Sequence, residues 1–228
     1  KLNPKWSLGA TARVMSEKRD WIESEYWEPL TFIYDDDETN RRYEGSTDLS
    51  FMSGDKYNMK LKLSGSHYTH RWDKVDRESG SWVDTSITTD DYYEAAYHSN
   101  YVIGQGHVAS YGFNYSYTGL ESKELAGSSH SDKAYAGYLS YECAPIKPLS
   151  SVWGVRYEKH TSWGGRFNPS FNLMYKASDG FKLRGMVAYG FRAPSIKEQY
   201  FTFDHTAAGY VVYGGEITPP ADLNIPES

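Results

Sequence analysis

The chain has 228 residues, a formal net charge of −6 and a sequence pI near 5.7. An acidic chain without a basic stripe has nothing with which to displace the counterions of a nucleic acid, so nucleic acid is excluded as a partner. Its mean hydropathy is −0.69, and no run approaches the ~18 consecutive apolar residues of a membrane helix, which excludes helical spanning. The chain has 21 tyrosines and 7 tryptophans, whose rings with a polar tip suit the headgroup level of a membrane.

Nine segments alternate apolar and polar side chains, which predicts β-strands because successive side chains of a strand point to opposite faces. In the clearest segment, Leu139, Tyr141 and Cys143 share one face, and Ser140 and Glu142 take the other. At helical spacing the same residues would scatter around the cylinder. The predicted strands lie near 6–15, 42–52, 57–68, 91–102, 107–118, 133–143, 149–160, 167–176 and 181–192.

The gaps between the predicted strands alternate between long and short. Short gaps lie at 53–56, 103–106, 144–148 and 177–180, and long ones at 16–41, 69–90, 119–132 and 193–222, with one shorter gap at 161–166 where a long one is expected. Strands of membrane barrels cross in ~9–11 residues, with tight periplasmic turns and long outer loops. The pattern therefore predicts an all-β fold, an antiparallel transmembrane β-barrel segment. Because a bare sheet edge is not tolerated in lipid, we expect these about 9–10 strands to belong to a larger barrel.

Two motifs carry a resemblance to a known family. Segment 189–200 reads Tyr-Gly-Phe-Arg-Ala-Pro-Ser-Ile-Lys-Glu-Gln-Tyr, and segment 220–228 reads Pro-Ala-Asp-Leu-Asn-Ile-Pro-Glu-Ser. The first resembles the aromatic-Arg-Ala-Pro box of TonB-dependent outer-membrane receptors. The second is similar to their Asn-Pro-Asp/Asn-Leu-x-Pro-Glu-Thr/Ser box, with Pro-Ala where Asn-Pro is expected. The likeness is specific over roughly 135–228 and only architectural before that.

The resemblance implies a barrel of about 22 strands plugged by an N-terminal domain. We then expect residues 1–228 to be part of the barrel, with the plug and the C-terminal strands outside this sequence. The resemblance also implies uptake of a scarce nutrient across the outer membrane of a Gram-negative bacterium. The expected cargo is an iron-siderophore, haem, cobalamin or a glycan. Expected partners are TonB–ExbB–ExbD through the plug, outer-membrane lipid and lipopolysaccharide, and a surface lipoprotein.

Candidate ligand-binding residues cluster around the two boxes and in the first long gap. Arg192 lies on the polar face of the last predicted strand, so we expect it to point into the lumen near the outer rim. The resemblance implies a haem-iron ligand between the boxes, where His205 lies, and neutral imidazole is a natural iron ligand. Aromatic residues around His205 could stack on a siderophore, porphyrin or sugar, or pack against other loops; they are Tyr200, Phe203, Tyr210 and Tyr213. Trp21 and Trp27 of the first long gap could help to cap a ligand.

An acidic run, Asp35, Asp36 and Asp37, occupies the tip of the predicted loop 16–41. Clustered carboxylates can bind Ca²⁺, although a solvated hydrophilic loop is the alternative interpretation. No catalytic constellation appears in the sequence, and we expect no enzyme activity. A passive porin-like or structural barrel, or a soluble all-β binding module, remain the alternatives to a transporter.

Overall fold

The computed structural model describes residues 5–27, 29–146, 148–205, 210–213 and 216–218. Nine antiparallel strands form one sheet in which each strand pairs with the next one along the chain, which confirms the predicted fold class. The strands are β1 (Trp6–Trp27), β2 (Leu30–Ser53), β3 (Tyr57–Asp76), β4 (Trp82–Gly104), β5 (His107–Ser122), β6 (Ser129–Ile146), β7 (Leu149–His160), β8 (Gly164–Lys176) and β9 (Lys182–Ala188). A helix, α1 (Ile196–Tyr200), and a small sheet of β10 (Thr202–His205), β11 (Tyr210–Tyr213) and β12 (Glu216–Thr218) follow.

The register of the large sheet sorts its side chains onto two faces. On one, which we call the outer face, apolar side chains line up across the strands, and Leu139 lies between Tyr111 of β5 and Val155 of β7. On the other, the inner face, the neighbouring positions are polar, and Ser140 lies opposite Ser110. Both faces therefore follow the period of two in the sequence.

The apolar rows of the outer face stay uncovered. Leu139 is 52% exposed, Trp153 57% and Val187 69%. In a soluble sandwich these rows would be buried against a second sheet, whereas among the described residues no sheet covers them. An apolar surface of this extent marks contact with another apolar phase, and for strands of this length that phase is the bilayer.

The longer gaps of the sequence pattern are largely strand in the structure, so the loops predicted at 16–41, 69–90 and 119–132 are wrong. β1 and β2 are 22 and 24 residues long and pair continuously up to Trp27 and Leu30. The alternation fades there because both faces of a strand beyond the membrane contact water, so neither has to be apolar. The far end is the name we use for the part of the sheet that extends beyond the ~9–11 residues crossing the hydrocarbon. It lies on the side where β1 ends at Trp27 and β2 begins at Leu30.

The last predicted strand, 181–192, is also wrong at its end, since β9 stops at Ala188 and α1 begins after an N-cap at Ser195. A small buried core of Leu120, Leu125 and Ile196 ties α1 to the end of β5. No helix in the described part of the chain has the length and apolarity needed to cross a membrane.

Candidate functional site

Lys74 of β3 is the centre of a charged and aromatic cluster on the inner face of the far end. Its Nζ lies 3.0 Å from Glu23 Oε2 and also pairs with Glu25. The same ammonium lies 4.3 Å from the ring centroid of Tyr34 and 5.8 Å from that of Trp72. Burial lowers the pKa of Lys74, but the two carboxylates outweigh it and the pKa is raised. The cluster therefore holds a fixed cation against two aromatic faces.

Asp36 lies beside this cation and is only 1% exposed. Its register partners are Trp21 on β1 and Lys74 on β3. Among the described residues neither carboxylate oxygen of Asp36 has a hydrogen-bond partner, although the Trp72 indole and the Glu23 carboxyl are close enough to affect its pKa. Burial, followed by the negative charge of Glu23, raises the pKa of Asp36. Buried carboxyl groups without hydrogen-bond partners are uncommon, because burying them in this way costs free energy.

A second group on the inner face centres on Asn40, which is buried. Its Oδ1 accepts hydrogen bonds from the Tyr68 hydroxyl at 2.6 Å and from His70 Nδ1 at 2.9 Å. Its Nδ2 donates to Glu38 Oε1 at 2.7 Å. The guanidinium of Arg42 lies 4.7 Å from the ring centroid of Tyr68. The network fixes the Tyr68 ring and so presents a stacked cation and ring towards the lumen.

His160, the last residue of β7, is the centre of a third group on the inner face. Its Nδ1 lies 2.8 Å from Asp132 Oδ2 and its Nε2 lies 2.9 Å from Glu158 Oε1. Burial lowers the pKa of His160, but the two carboxylates more than compensate, so the pKa is raised above its ordinary value. Thr161 also donates to Asp132, at 2.7 Å. With both ring nitrogens bonded to carboxylates, His160 is a structural cation at the end of the β6–β7 pair and is not poised as a general base.

The structure gives two of the predicted ligand-binding residues structural roles. Arg192 lies beyond β9, not on its polar face, and its Nη2 is 2.6 Å from Glu198 Oε1. Glu198 also accepts from the backbone N–H of Ser195 in a capping box that starts α1. These bonds lower the pKa of Glu198 to about 2, the Ser195 N–H first and Arg192 next. Tyr200 stacks on His130, with ring centroids 3.6 Å apart.

Four further predicted residues, Phe203, His205, Tyr210 and Tyr213, lie on β10 and β11 of the small sheet. The backbone register pairs His205 with Tyr210. The side chains of all four lie outside the described part of the structure, so their interpretation as a stacking group and as a haem-iron ligand stays a prediction.

The residues predicted from the first long gap lie in the β1–β2 hairpin. Trp21 is on the inner face opposite Asp36, whereas Trp27 ends β1 and its side chain lies outside the described residues. The calcium prediction for Asp35, Asp36 and Asp37 is not supported, because on a strand Asp36 points to the inner face and its two neighbours point to the outer one. Within the described ranges no group of three or more His, Cys, Asp or Glu side chains could hold a metal ion.

The sequence interpretation missed the Lys74, Asn40 and His160 groups. Cross-strand register assembles all three groups, and they lie in stretches where the sequence pattern predicts loops or the end of a strand. A usable signal was present, since Trp21, Glu23 and Glu25 repeat with a period of two, as they would on one face of a strand.

A family model described as "TonB dependent receptor-like, beta-barrel" matches residues 2–228. The chain belongs to this family. The predicted resemblance and the predicted outer-membrane location in a Gram-negative bacterium are therefore confirmed. The far end of the sheet is its extracellular side, because the strands extend there well beyond the residues that cross the hydrocarbon, and barrels of the outer membrane have their long connections outside the cell. The family is one of receptors rather than enzymes.

Curated relatives agree with the family. The iron-regulated outer membrane virulence protein of Vibrio cholerae is 24% identical over 123 residues, which cover 52% of this chain and 19% of the relative. The probable TonB-dependent siderophore receptor PirA of Acinetobacter baumannii is 24% identical over 115 residues, covering 45% of this chain and 14% of the relative. The matched regions thus span about a fifth or less of these relatives.

Solved structures share the fold. The crystal structure of the siderophore receptor PirA from Acinetobacter baumannii matches with a TM-score of 0.58 at 14% identity, covering 86% of this chain and 36% of that one. A mutant of the ferric enterobactin receptor PfeA from Pseudomonas aeruginosa matches with a TM-score of 0.56 at 15% identity, covering 82% and 34%. The nine strands are therefore arranged as part of a receptor barrel.

Proposed function

We propose that the full-length receptor captures an anionic ferric chelate of the siderophore type on the inner face of its far end and imports it. The carrying observation is that cations lie against aromatic rings on this face: Lys74 over Tyr34 at 4.3 Å and Arg42 over Tyr68 at 4.7 Å. Two curated relatives, a probable siderophore receptor and an iron-regulated outer membrane virulence protein, support the same ligand class.

The chemistry of these pairs suits such a ligand. A ferric complex of aromatic chelating groups carries negative charge next to flat rings. A guanidinium stacked on a tyrosine offers it charge-assisted hydrogen bonds and an aromatic contact at the same place. Arg42 is the better candidate contact, because Lys74 is engaged by two carboxylates whereas Arg42 has one carboxylate partner, Glu44, at 3.7 Å.

The test uses the full-length receptor in detergent and a ferric tris-catecholate as the probe, with binding followed by quenching of tryptophan fluorescence. Arg42→Gln should weaken binding about tenfold, which corresponds to about 1.4 kcal/mol. Arg184→Gln is the matched control, since Arg184 also lies on the inner face but near the short turn of β8 and β9. Equal affinity of both variants and the wild type, or no quenching by the probe, would contradict the proposal.

Haem is a second candidate ligand, and one observation favours it. His205 and Tyr210, whose side-chain types both ligate haem iron in proteins, are backbone register partners in the small sheet. Haemin added to the full-length receptor should then shift its Soret band, and His205→Ala should abolish the shift. A spectrum that does not change on binding, or changes equally in the variant, removes haem from consideration.

We infer that import is driven by TonB–ExbB–ExbD through an N-terminal plug, as the family description supports, and that a surface lipoprotein assists capture. Uptake of the radioactive ferric chelate by cells should stop when TonB is deleted, while binding at the cell surface continues. Uptake that persists without TonB would identify a passive channel instead.

A further inference from the structure

The β1–β2 hairpin meets β3 at a buried carboxyl group, Asp36. The register partner of Asp36 on β3 is Lys74, and the pairing of β2 with β3 ends two residues away, at Tyr34. Beyond that residue the two strands of the hairpin pair mainly with each other. We call residues 21–27 of β1 and 30–36 of β2 the hairpin tip. The interactions of Asp36 therefore act at the place where this tip is attached to β3.

The cluster around Asp36 contains three carboxyl groups and one ammonium. Glu23 and Glu25 of β1 both bond to Lys74. Glu23 also lies on the diagonal of Asp36, because Trp21, two residues before it, is the register partner of Asp36. Long side chains on such a diagonal are within reach of one another. Three ionised carboxylates at this place would repel one another, and one ammonium offsets a single negative charge.

The neighbouring charged groups on the inner face do not supply the cation that this carboxyl group lacks. Glu38 follows it by two residues on β2 and lies 3.8 Å from the guanidinium of Arg19 and 3.3 Å from His70. On β4, Asp84 faces the same cluster and pairs with Lys123. Each of these neighbours adds a carboxylate, and the cationic side chains beside them are already engaged by those carboxylates.

A proton satisfies Asp36 where no second cation does. Asp36 is almost fully buried, and its oxygens have no hydrogen-bond partner in the part of the chain that the structure describes. Burial disfavours an ionised carboxylate much more than a neutral carboxyl group. The neutral form also has an O–H donor, which can bond to the carboxylate of Glu23. Burial first, and then the charge of Glu23, raise the pKa of Asp36.

We propose that Asp36 and Glu23 share a proton, and that this proton holds the hairpin tip to β3. When the proton leaves to the solvent, a third carboxylate stays buried among like charges. The tip then separates from β3, because separation lets Asp36 reach water. The order of the far end therefore depends on the pH outside the cell. This switch does not require the cargo proposed above.

The direction of the pH effect follows from the raised pKa of Asp36. The folded hairpin binds the proton more tightly than an opened one. The contribution of Asp36 to the stability of the tip is fully present below its ordinary pKa near 3.8, and it is lost as the pH rises through the raised pKa. The hairpin tip should therefore be ordered in mildly acidic solution and open more often as the solution becomes alkaline.

Hydrogen–deuterium exchange of the full-length receptor in phospholipid vesicles tests the switch, with a chelator present so that no divalent cation contributes. After correction for the intrinsic effect of pH on exchange, amides of the wild-type hairpin tip should be about tenfold less protected at pH 8 than at pH 5. Asp36→Asn, which is neutral at both pH values, should stay protected at pH 8. Asp35→Asn is the matched control, because Asp35 is half-exposed and lies 3.7 Å from Arg77; it should behave as the wild type.

The proton itself is followed by infrared difference spectroscopy between the same two pH values. The wild type should lose the C=O stretch of a protonated carboxyl group as the pH rises, and this band should be absent from the difference spectrum of Asp36→Asn. Glu23→Gln removes a negative charge next to Asp36. This variant should therefore move the midpoints of the infrared change and of the exchange change to lower pH.

The following results would overturn the proposal. Protection of the wild-type tip that does not change with pH, or that changes equally in Asp36→Asn, would show that Asp36 does not hold the tip. An infrared band that persists in Asp36→Asn would place the proton on another group. If Asp36→Asn does not fold, as judged by heat-dependent mobility in gel electrophoresis, Glu23→Gln decides alone, because an unchanged midpoint excludes a shared proton.

Discussion

Replacing Leu139 by arginine tests the assignment of the outer face to lipid at one position. Leu139 is seven residues from Ile146, the end of β6 (146 − 139). At ~3.4 Å per residue and a tilt of ~40°, this distance is ~18 Å along the membrane normal. The residue therefore lies close to the middle of a hydrocarbon layer ~30 Å thick. An arginine facing lipid at this depth costs about 2–4 kcal/mol. We therefore expect Leu139→Arg to lower the free energy of unfolding by that amount.

The control is Ser140→Arg, one residue along and at the same depth but on the inner face. A polar substitution on a water-facing surface usually changes stability by less than ~0.5 kcal/mol. Both variants of the full-length receptor would be folded into phospholipid vesicles and unfolded with urea, with tryptophan fluorescence as the signal. If the two arginines cost the same, or if Leu139→Arg costs nothing, the assignment of the two faces is wrong.

Two further predictions concern stability. The pKa of His160 is raised in the folded state. Its contribution to the free energy of unfolding is therefore fully present below its ordinary pKa near 6.5, and this contribution is lost as the pH rises through the raised pKa. His160→Gln should therefore lower the stability by about 2 kcal/mol at pH 6, and the difference from the wild type should shrink towards pH 9; a gap that does not change with pH would exclude the ion pairs as the cause. Gly112→Ala should cost about 1–3 kcal/mol, because a Cβ there would collide with the Tyr97 carbonyl and the Tyr138 ring. Gly185→Ala, with nothing within 4 Å of its Cβ, should be nearly neutral, and equal melting temperatures for the two variants would contradict the clash.

The membrane-crossing part of the sheet could be predicted from the sequence, because lipid on one side and water on the other force a period of two. Leu139 and Ser140 differ in polarity for that reason alone, and the strand order followed from the short turns. The far end lacks this constraint. The run from Trp21 to Glu25 reads as a polar loop until its partners on β2 are known.

Most of the candidate site could not be predicted from the sequence, because its residues come together only through the pairing of the strands. The Lys74 group joins β1, β2 and β3, so its members are up to 51 residues apart in the chain (74 − 23), and only the register brings them together. Arg192 shows the opposite case: the sequence motif around it identifies the family but does not give the position of its side chain. Arg192 pairs with Glu198 at the start of α1 instead of pointing into the lumen from β9.

The most direct test of the account is a spin-label scan of positions 134–143 of β6 in the full-length receptor reconstituted in phospholipid vesicles. Collision rates with oxygen, which partitions into lipid, and with a water-soluble nickel complex would be measured at each position. Oxygen should dominate at 135, 137, 139 and 141, and the oxygen-to-nickel ratio should drop at each even position between them. A ratio that stays level along the strand, or that shows the odd positions shielded from both reagents, would mean that the outer face does not contact lipid.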